Sequence, residues 1–379
     1  MNNIIVKFSV SFILVFLLSN AALAATVSPP EIKASSYLLV DFHSGVELAE
    51  KNSDKQIEPA SITKLMTAYV IYKELSKGSI TGDDKVLISK KAWKMEGSRM
   101  FVEAGKKVAL NRMLKGLIVQ SGNDAAVALA EHISGSEAAF VAKMNEQAIT
   151  LGMRSSQFQN ATGWPAANHY TTARDIVLLT RAVIRDFPEY YKLHALKEYT
   201  YNGIKQYNRN KLLWRDDTVD GVKTGHTESA GYCLVSSALR NDMRLISVIL
   251  GAESEKARAD YSQELLEFGF RLFETHKLYD KGSVLADARV WKGTKSTVPA
   301  GIVDDFYVTV QKGHYKQLKG LMELNRSLDA PIKRGDVVGT AIIKDGDQIV
   351  HEVTLLALDA VDAGGFWTNV TDSVKKLFN

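Results

Sequence analysis

The sequence predicts a mixed α/β chain: a large domain of helices and strands, a small all-β domain, and one terminal amphipathic helix. Three observations carry that expectation. Helical apolar stripes recur between residues 62 and 185, a strand meander follows Gly221, and four more β-like runs succeed one another after about residue 276. With 379 residues, 46% of them hydrophobic, the chain can bury one large core and a second beside it.

Residues 1–24 read as an export signal. Lys7 supplies the positive start, Phe8 to Leu18 an apolar run, and Ala22-Leu23-Ala24 a small-x-small cleavage site. A run of eleven residues is too short to span a bilayer, which takes about 20. Cleavage after Ala24 removes one lysine, so the net charge falls from +4 to +3 (4 − 1). The charges of both signs are interspersed, without a basic tract, which argues against nucleic-acid binding. Cys233 is the single cysteine, so no internal disulfide is expected, and the run Tyr232-Cys233-Leu234-Val235 marks it as a small buried hydrophobe. The eight histidines are scattered with no His-x-x-x-His pair, so neither metal nor other cofactor is expected.

In the first helix, Ile62, Leu65, Met66, Tyr69 and Val70 form the stripe, with Pro59 at its start and Gly78 past its end. Two more helices are expected over 110–119 and 125–133, parted by the polar knot Ser121-Gly122-Asn123-Asp124, with Asn123 or Asp124 as cap of the second. Another helix falls at 175–185. Strands are expected over 222–224, 231–239 and 243–250, the last two joined by Arg240-Asn241-Asp242, and a helix over 261–274. The later β-like runs are 284–291, 305–311, 337–344 and 348–358, and Asp345-Gly346 signals a tight hairpin. Gly364-Gly365 breaks the chain as a flexible hinge. Beyond it Phe366, Trp367, Val370, Val374, Leu377 and Phe378 share one helical face, too short to span a membrane but suited to lie in its surface.

Three short strings carry the chemistry: Ser61-Ile62-Thr63-Lys64, Ser121-Gly122-Asn123 and Lys223-Thr224-Gly225. A serine opening a helix has the residue three positions on beside it, so Lys64 reaches the Ser61 hydroxyl. Serine needs a base, and lysine becomes one only when burial and a nearby cation lower its pKa from about 10.4. Lys223 is the candidate cation. Ser121 offers a second hydroxyl to pass a proton to a leaving amine, and Asn123 an amide for a substrate carbonyl. On a strand edge, Gly225 leaves room for a peptide to pair alongside, with Lys223 and Thr224 facing its terminal carboxylate. Each string alone reads equally as something plain: a solvated helix start, an interhelical turn, a polar strand end. Ser373 to Lys376 repeats the first pattern by accident.

These strings lie within longer ones: Pro59-Ala60-Ser61-Ile62-Thr63-Lys64-Leu65-Met66-Thr67, Ser121-Gly122-Asn123-Asp124-Ala125, Tyr207-Asn208-Arg209-Asn210 with Leu212-Leu213-Trp214, and Asp220-Gly221-Val222-Lys223-Thr224-Gly225-His226-Thr227. Together they resemble the low-molecular-mass penicillin-binding proteins, specifically the serine D-alanyl-D-alanine carboxypeptidases. The resemblance implies a penicillin-binding-protein/β-lactamase-like domain, an antiparallel sheet packed with helices, over 25–275. A β domain over 276–362 and a membrane-anchoring helix over 363–379 would follow. It implies Ser61 as acylated nucleophile, Lys64 as base and Ser121 as relay. The N–H groups of Ser61 and His226 would form the oxyanion hole, Lys223, Thr224 and Arg209 would receive the carboxylate, and Asn123 and Gly225 would line the substrate. The implied substrates are peptidoglycan pentapeptide stems, with β-lactam antibiotics as covalent inhibitors, at the periplasmic face of the inner membrane. Class A β-lactamases carry Asp in the middle of the second string; Gly122 departs from that, and no Glu-x-x-Leu-Asn occurs between 123 and 223. β-Lactamase, endopeptidase and idle wall-binding scaffold are the alternatives.

Overall fold

The computed structural model describes residues 28–376, so the export signal expected at 1–24 and the residues Leu377 and Phe378 lie outside the described residues. The chain opens with the hairpin β1 (Ser36–Asp41) and β2 (Glu47–Lys51), in a stretch for which no pattern was expected. Every residue of β1 is buried, so no alternation of polar and apolar side chains marks it. A 3₁₀ turn, Ala60–Ile62, leads into α1 (Thr63–Ser76), whose residues 63–72 are all buried. The apolar stripe is therefore one side of a helix that the domain encloses all round.

A small hairpin, β3 (Lys85–Leu87) and β4 (Lys107–Ala109), flanks the short α2 (Lys90–Trp93). The helix expected at 110–119 divides: α3 (Leu110–Lys115) widens into a π-turn, Gly116–Gln120, and Ser121 ends it in the left-handed region, φ 63°. Then α4 (Asn123–Ser134), α5 (Glu137–Thr150), α6 (Ala173–Asp186) and α7 (Pro188–Tyr191) follow. A second hairpin, β5 (Glu198–Tyr201) and β6 (Ile204–Tyr207), precedes α8 (Leu212–Arg215). The meander is β7 (Val219–Thr227), β8 (Gly231–Arg240) and β9 (Met243–Ala252), and α9 (Glu255–Leu272) begins six residues before the expected 261, with Ser254 as its cap.

These strands build a five-stranded antiparallel sheet in the order β2-β1-β9-β8-β7, which leaves β7 on the edge. One face carries the larger core around α1 and α4; the other carries a second core under α9. Cys233 is fully buried in β8, and burial pushes its thiol up to about 11, in keeping with a packing role.

The residue expected to start the β domain falls inside β10 (Phe273–Tyr279), which follows α9 directly. After it come β11 (Val284–Arg289), β12 (Thr297–Gly301), β13 (Phe306–Gln311), β14 (Leu318–Leu324), β15 (Val337–Asp345) and β16 (Gln348–Ala357). β10 pairs with β13, and the rest form a sheet in the order β11-β12-β16-β15-β14 over a third core. The β15–β16 turn closes on the pair Asp345↔Gln348, with Gly346 at φ 60°.

A dense polar junction joins the two domains. The buried Asp41 carboxylate accepts from the Ser44 N–H and hydroxyl at one oxygen and from the Thr275 hydroxyl at the other, while Thr309 sits 2.6 Å from Ser44 and 2.9 Å from Thr275. His43 stacks on Tyr307 beside it, ring centroids 4.4 Å apart. The last helix, α10 (Phe366–Lys376), is tethered too: the Gly364 N–H donates to the Lys292 carbonyl, and the Lys292 N–H to Asp372. Gly364-Gly365 is thus no free hinge, although Phe366, Trp367, Val370 and Val374 remain exposed.

Candidate functional site

The Ser61 turn is held in place by two glycines. Ala60, just before the serine, has φ 46°, a region costly for a residue with a side chain. A Cβ on Gly163 would stand 1.7 Å from the Ala60 carbonyl oxygen, and one on Gly225 would meet Pro59 and Ala60 at 3.1–3.2 Å. Gly225 therefore brings β7 against the Ser61 turn, which is what its missing side chain permits, while β7 keeps an open sheet edge.

Lys64 has no exposed surface. Its Nζ donates to Ser61 Oγ at 2.9 Å and to the Thr162 carbonyl at 2.6 Å. The loop carrying Thr162 is built by Asn160, whose Oδ1 accepts from the N–H of Thr162, Gly163 and Trp164 and from the Thr162 hydroxyl. Burial brings the Lys64 ammonium down to about 7, the Arg209 charge adds to the fall, and Asp124 opposes it. Arg209 is the cation that lowers Lys64, and Lys223, expected in that role, is coupled to Lys64 through its own fall. A lysine at this value is part neutral at neutral pH, and a neutral amine 2.9 Å from a serine hydroxyl is a base beside a nucleophile.

Ser121, left-handed at the end of the π-turn, accepts from Lys223 Nζ at 2.9 Å. Lys223 also donates to the Thr224 carbonyl, and burial, with Lys64, Arg209 and Arg258 adding to it, holds its ammonium well below the usual lysine range. Neither Asn123 nor Asp124 caps α4, since Gly122 occupies the cap position. The Asp124 carboxylate instead accepts from the N–H groups of Met100, Phe101 and Val102, while Asn123 donates to the Glu96 carbonyl. Both fasten the 96–102 loop over the groove.

Arg209 is exposed, but its backbone is pinned by buried neighbours. Asn208 Nδ2 donates to the Leu196 carbonyl, its Oδ1 accepts from the Asn210 N–H, and Asn210 Nδ2 donates to the Gly221 carbonyl. Two recesses meet here. One, of about 760 Å³, is lined by Ser61, Ser98, Asn123, Thr162, Trp164, Arg209 and His226 among others. The other, of about 240 Å³, includes Ser61, Ser98, Ser121, Arg209, Thr224, Gly225, His226, Tyr232 and Arg258. With Lys64 and Lys223 behind the two serines, all nine residues singled out from the sequence converge on one groove.

Other residues of the groove had no motif to mark them. Arg258, buried on α9, donates to the Gly225 carbonyl at 3.1 Å, and Tyr232 lies under both it and the His226 ring. The turn-rich Asn160-Ala161-Thr162-Gly163 was the one signal for the Thr162 loop. Among the described residues, no group of three or more His, Cys, Asp or Glu is arranged to hold a metal ion.

Residues 23–254 match the family model described as D-alanyl-D-alanine carboxypeptidase. The chain belongs to that family. Residues 273–363 match the C-terminal domain of penicillin-binding protein 5. The chain is 42% identical over 374 residues to D-alanyl-D-alanine carboxypeptidase DacC of Escherichia coli (strain K12), covering 96% of this chain and 94% of that one. It is 40% identical to DacA of the same strain, covering 92% and 89%. Among solved structures it is similar to penicillin-binding protein 5 of Haemophilus influenzae, with a TM-score of 0.85, 40% identity, and 89% and 99% of the two chains covered. It is also similar to the ampicillin-bound form of penicillin-binding protein D2 from Listeria monocytogenes, with a TM-score of 0.60, 28% identity, and 64% and 100% covered.

Gly163→Ala adds a methyl into the Ala60 carbonyl at a residue whose φ is 84°. Displacing the serine turn by an ångström is expected to slow substrate cleavage about 10²-fold. Gly152→Ala has a similar φ of 78° and nothing within 4 Å, so it is the control for backbone strain alone. Steady-state cleavage rates of the two variants separate crowding at Ser61 from strain.

Proposed function

We propose that this chain removes the terminal D-alanine from peptidoglycan pentapeptide stems through an acyl-enzyme on Ser61. The observation that carries this is the pair of serine–lysine bonds, Ser61–Lys64 and Ser121–Lys223, each 2.9 Å, on one groove beside Arg209. Lys64 in its neutral form takes the Ser61 proton as Oγ attacks the D-alanyl carbonyl. The N–H groups of Ser61 and His226 stabilise the oxyanion, a contribution worth about 10²–10³ in rate. Ser121, backed by Lys223, relays that proton on to the departing amine; water then attacks the acyl carbon, its hydroxyl leaving with the shortened stem and its proton restoring the Ser61 hydroxyl. Arg209, Lys223 and Thr224 present positive charge and a hydroxyl to the free carboxylate of the stem, which suits cleavage next to a chain end. Asn123 faces the stem from the larger recess.

A β-lactam presents the same carbonyl and carboxylate, so it acylates Ser61 and inhibits covalently. With Gly122 in the second string and no Glu-x-x-Leu-Asn segment, deacylation is slow, which favours a carboxypeptidase over a β-lactamase. Intact-mass analysis after exposure to penicillin is expected to show one adduct per chain and none in Ser61→Ala; an adduct that persists in that variant refutes the assignment.

Acylation is expected to rise with pH through about 7, because Lys64 must lose its proton to act and its pKa is lowered to that value. Arg209→Ala removes a charge that favours the neutral amine, so the midpoint moves upward, while Lys64→Arg keeps the charge and abolishes acylation. Stopped-flow acylation with a fluorescent penicillin from pH 5 to 9 reads both.

The reading extends to place: export by residues 1–24 and attachment of the enzyme to the periplasmic face of the inner membrane through α10, where it serves wall remodelling and cell shape. No described helix is long and apolar enough to cross a membrane. What supports surface attachment is the exposure of Phe366, at 72%, and Trp367, at 77%, on a helix tethered to the β domain at its start. An amphipathic helix buries such a face among lipid headgroups. Deleting residues 365–379 is expected to move the enzyme from the membrane fraction to the soluble one with its cleavage rate unchanged.

A further inference from the structure

β14 is an unprotected sheet edge. It pairs with β15 over seven residues without a register shift, has no strand on its other side, and contains no proline. β11, at the opposite edge of the same sheet, is broken by a shift between Val284 and Ala286. Natural edges are blunted by such irregularities because a straight, open edge offers its N–H and C=O groups to another strand. Here Leu321 and Met322 are about half exposed on that edge.

The sequence of the edge, Leu318-Lys319-Gly320-Leu321-Met322-Glu323-Leu324, is complementary to itself when reversed. In an antiparallel pairing centred on Leu321, Lys319 stands opposite Glu323 of a second copy, and Glu323 opposite Lys319. Gly320, with only Ile343 near a Cβ at 3.8 Å, leaves room opposite Met322, and Leu318 meets Leu324. A slip by one residue loses both charge pairs. Neither Lys319 nor Glu323 has an ion-pair partner among the described residues, and Lys319 faces Lys344 across the β14–β15 ladder, a like-charge pair that an incoming carboxylate relieves. We infer that β14 is a self-association edge, on which two copies of this chain join their β domains into one continuous ten-stranded sheet about a two-fold axis at Leu321.

Leu321→Cys places two thiols across that axis, where opposed Cα atoms lie about 4.5–5.5 Å apart, within disulfide range. The native Cys233 is buried and does not compete. Under mild oxidation the full chain carrying Leu321→Cys is expected to form a covalent dimer at least about tenfold faster than Val337→Cys, whose side chain is more exposed but off the axis. Adding Lys319→Glu or Glu323→Lys singly sets two like-charge pairs face to face and is expected to weaken dimerisation about tenfold, whereas the double reversal restores it. Equal cross-linking rates for the two cysteine variants, as expected of an edge that receives some other strand, overturn the inference. So does a double reversal no better than the single ones.

Discussion

An ammonium group stripped of water must be paired, hydrogen-bonded or neutral, and Lys64 has no exposed surface. Among the described residues no carboxylate forms an ion pair with it. Asp124, the acid acting on it from a distance, has its oxygens taken by backbone N–H groups of Met100, Phe101, Val102 and Ala125. What remains is one carbonyl, from Thr162, and one hydroxyl, from Ser61. Those two contacts fix the amine's direction while leaving its charge uncompensated. Much of the surrounding architecture follows: the Asn160 loop supplies the carbonyl, α1 is enclosed on every side to keep water out, and Arg209 stands close enough to disfavour the proton.

Legibility in the sequence followed the range of the interactions. Ser61 and Lys64 sit three residues apart, so helical geometry alone joins them, and the hydrophobic runs of β8 and β9 announced their meander. The Thr162 carbonyl, Arg258 and the Asp124 cradle depend on segments tens of residues distant, and no local spacing encodes them. β1 escaped notice because a strand buried on both faces loses its alternation. The caps were misassigned for a related reason: Asp124 has the chemistry of a helix cap, but the 100–102 loop competes for its carboxylate and wins three N–H donors to the helix's one. At Gly364-Gly365 flexibility was read from composition, whereas the Lys292 backbone ties both the break and the helix after it.

The junction around Asp41 connects these levels. Its carboxylate belongs to β1, at the heart of the first sheet, yet half of its hydrogen-bonding capacity is committed through Thr275 to β10 of the second domain. Hydroxyls that bond to one another and to a buried carboxylate have strict angular demands, so the junction fixes direction as well as proximity. With α10 tethered to the β domain at Lys292, the groove and the last helix are related through a chain of directional contacts.

Gly163 and Gly225 both lie against the Ser61 turn, and alanine is the smallest change that heredity can make at a glycine. At Gly163 that change drives a carbon into a carbonyl oxygen, and at Gly225 it presses on two residues of the turn. Neither position offers a mild intermediate between the present residue and a displaced serine. A lineage under pressure to refuse an antibiotic while still processing its natural peptide must therefore find its alternatives along the rim, at exposed residues such as Trp164 or Arg209, where side chains can be traded by degrees.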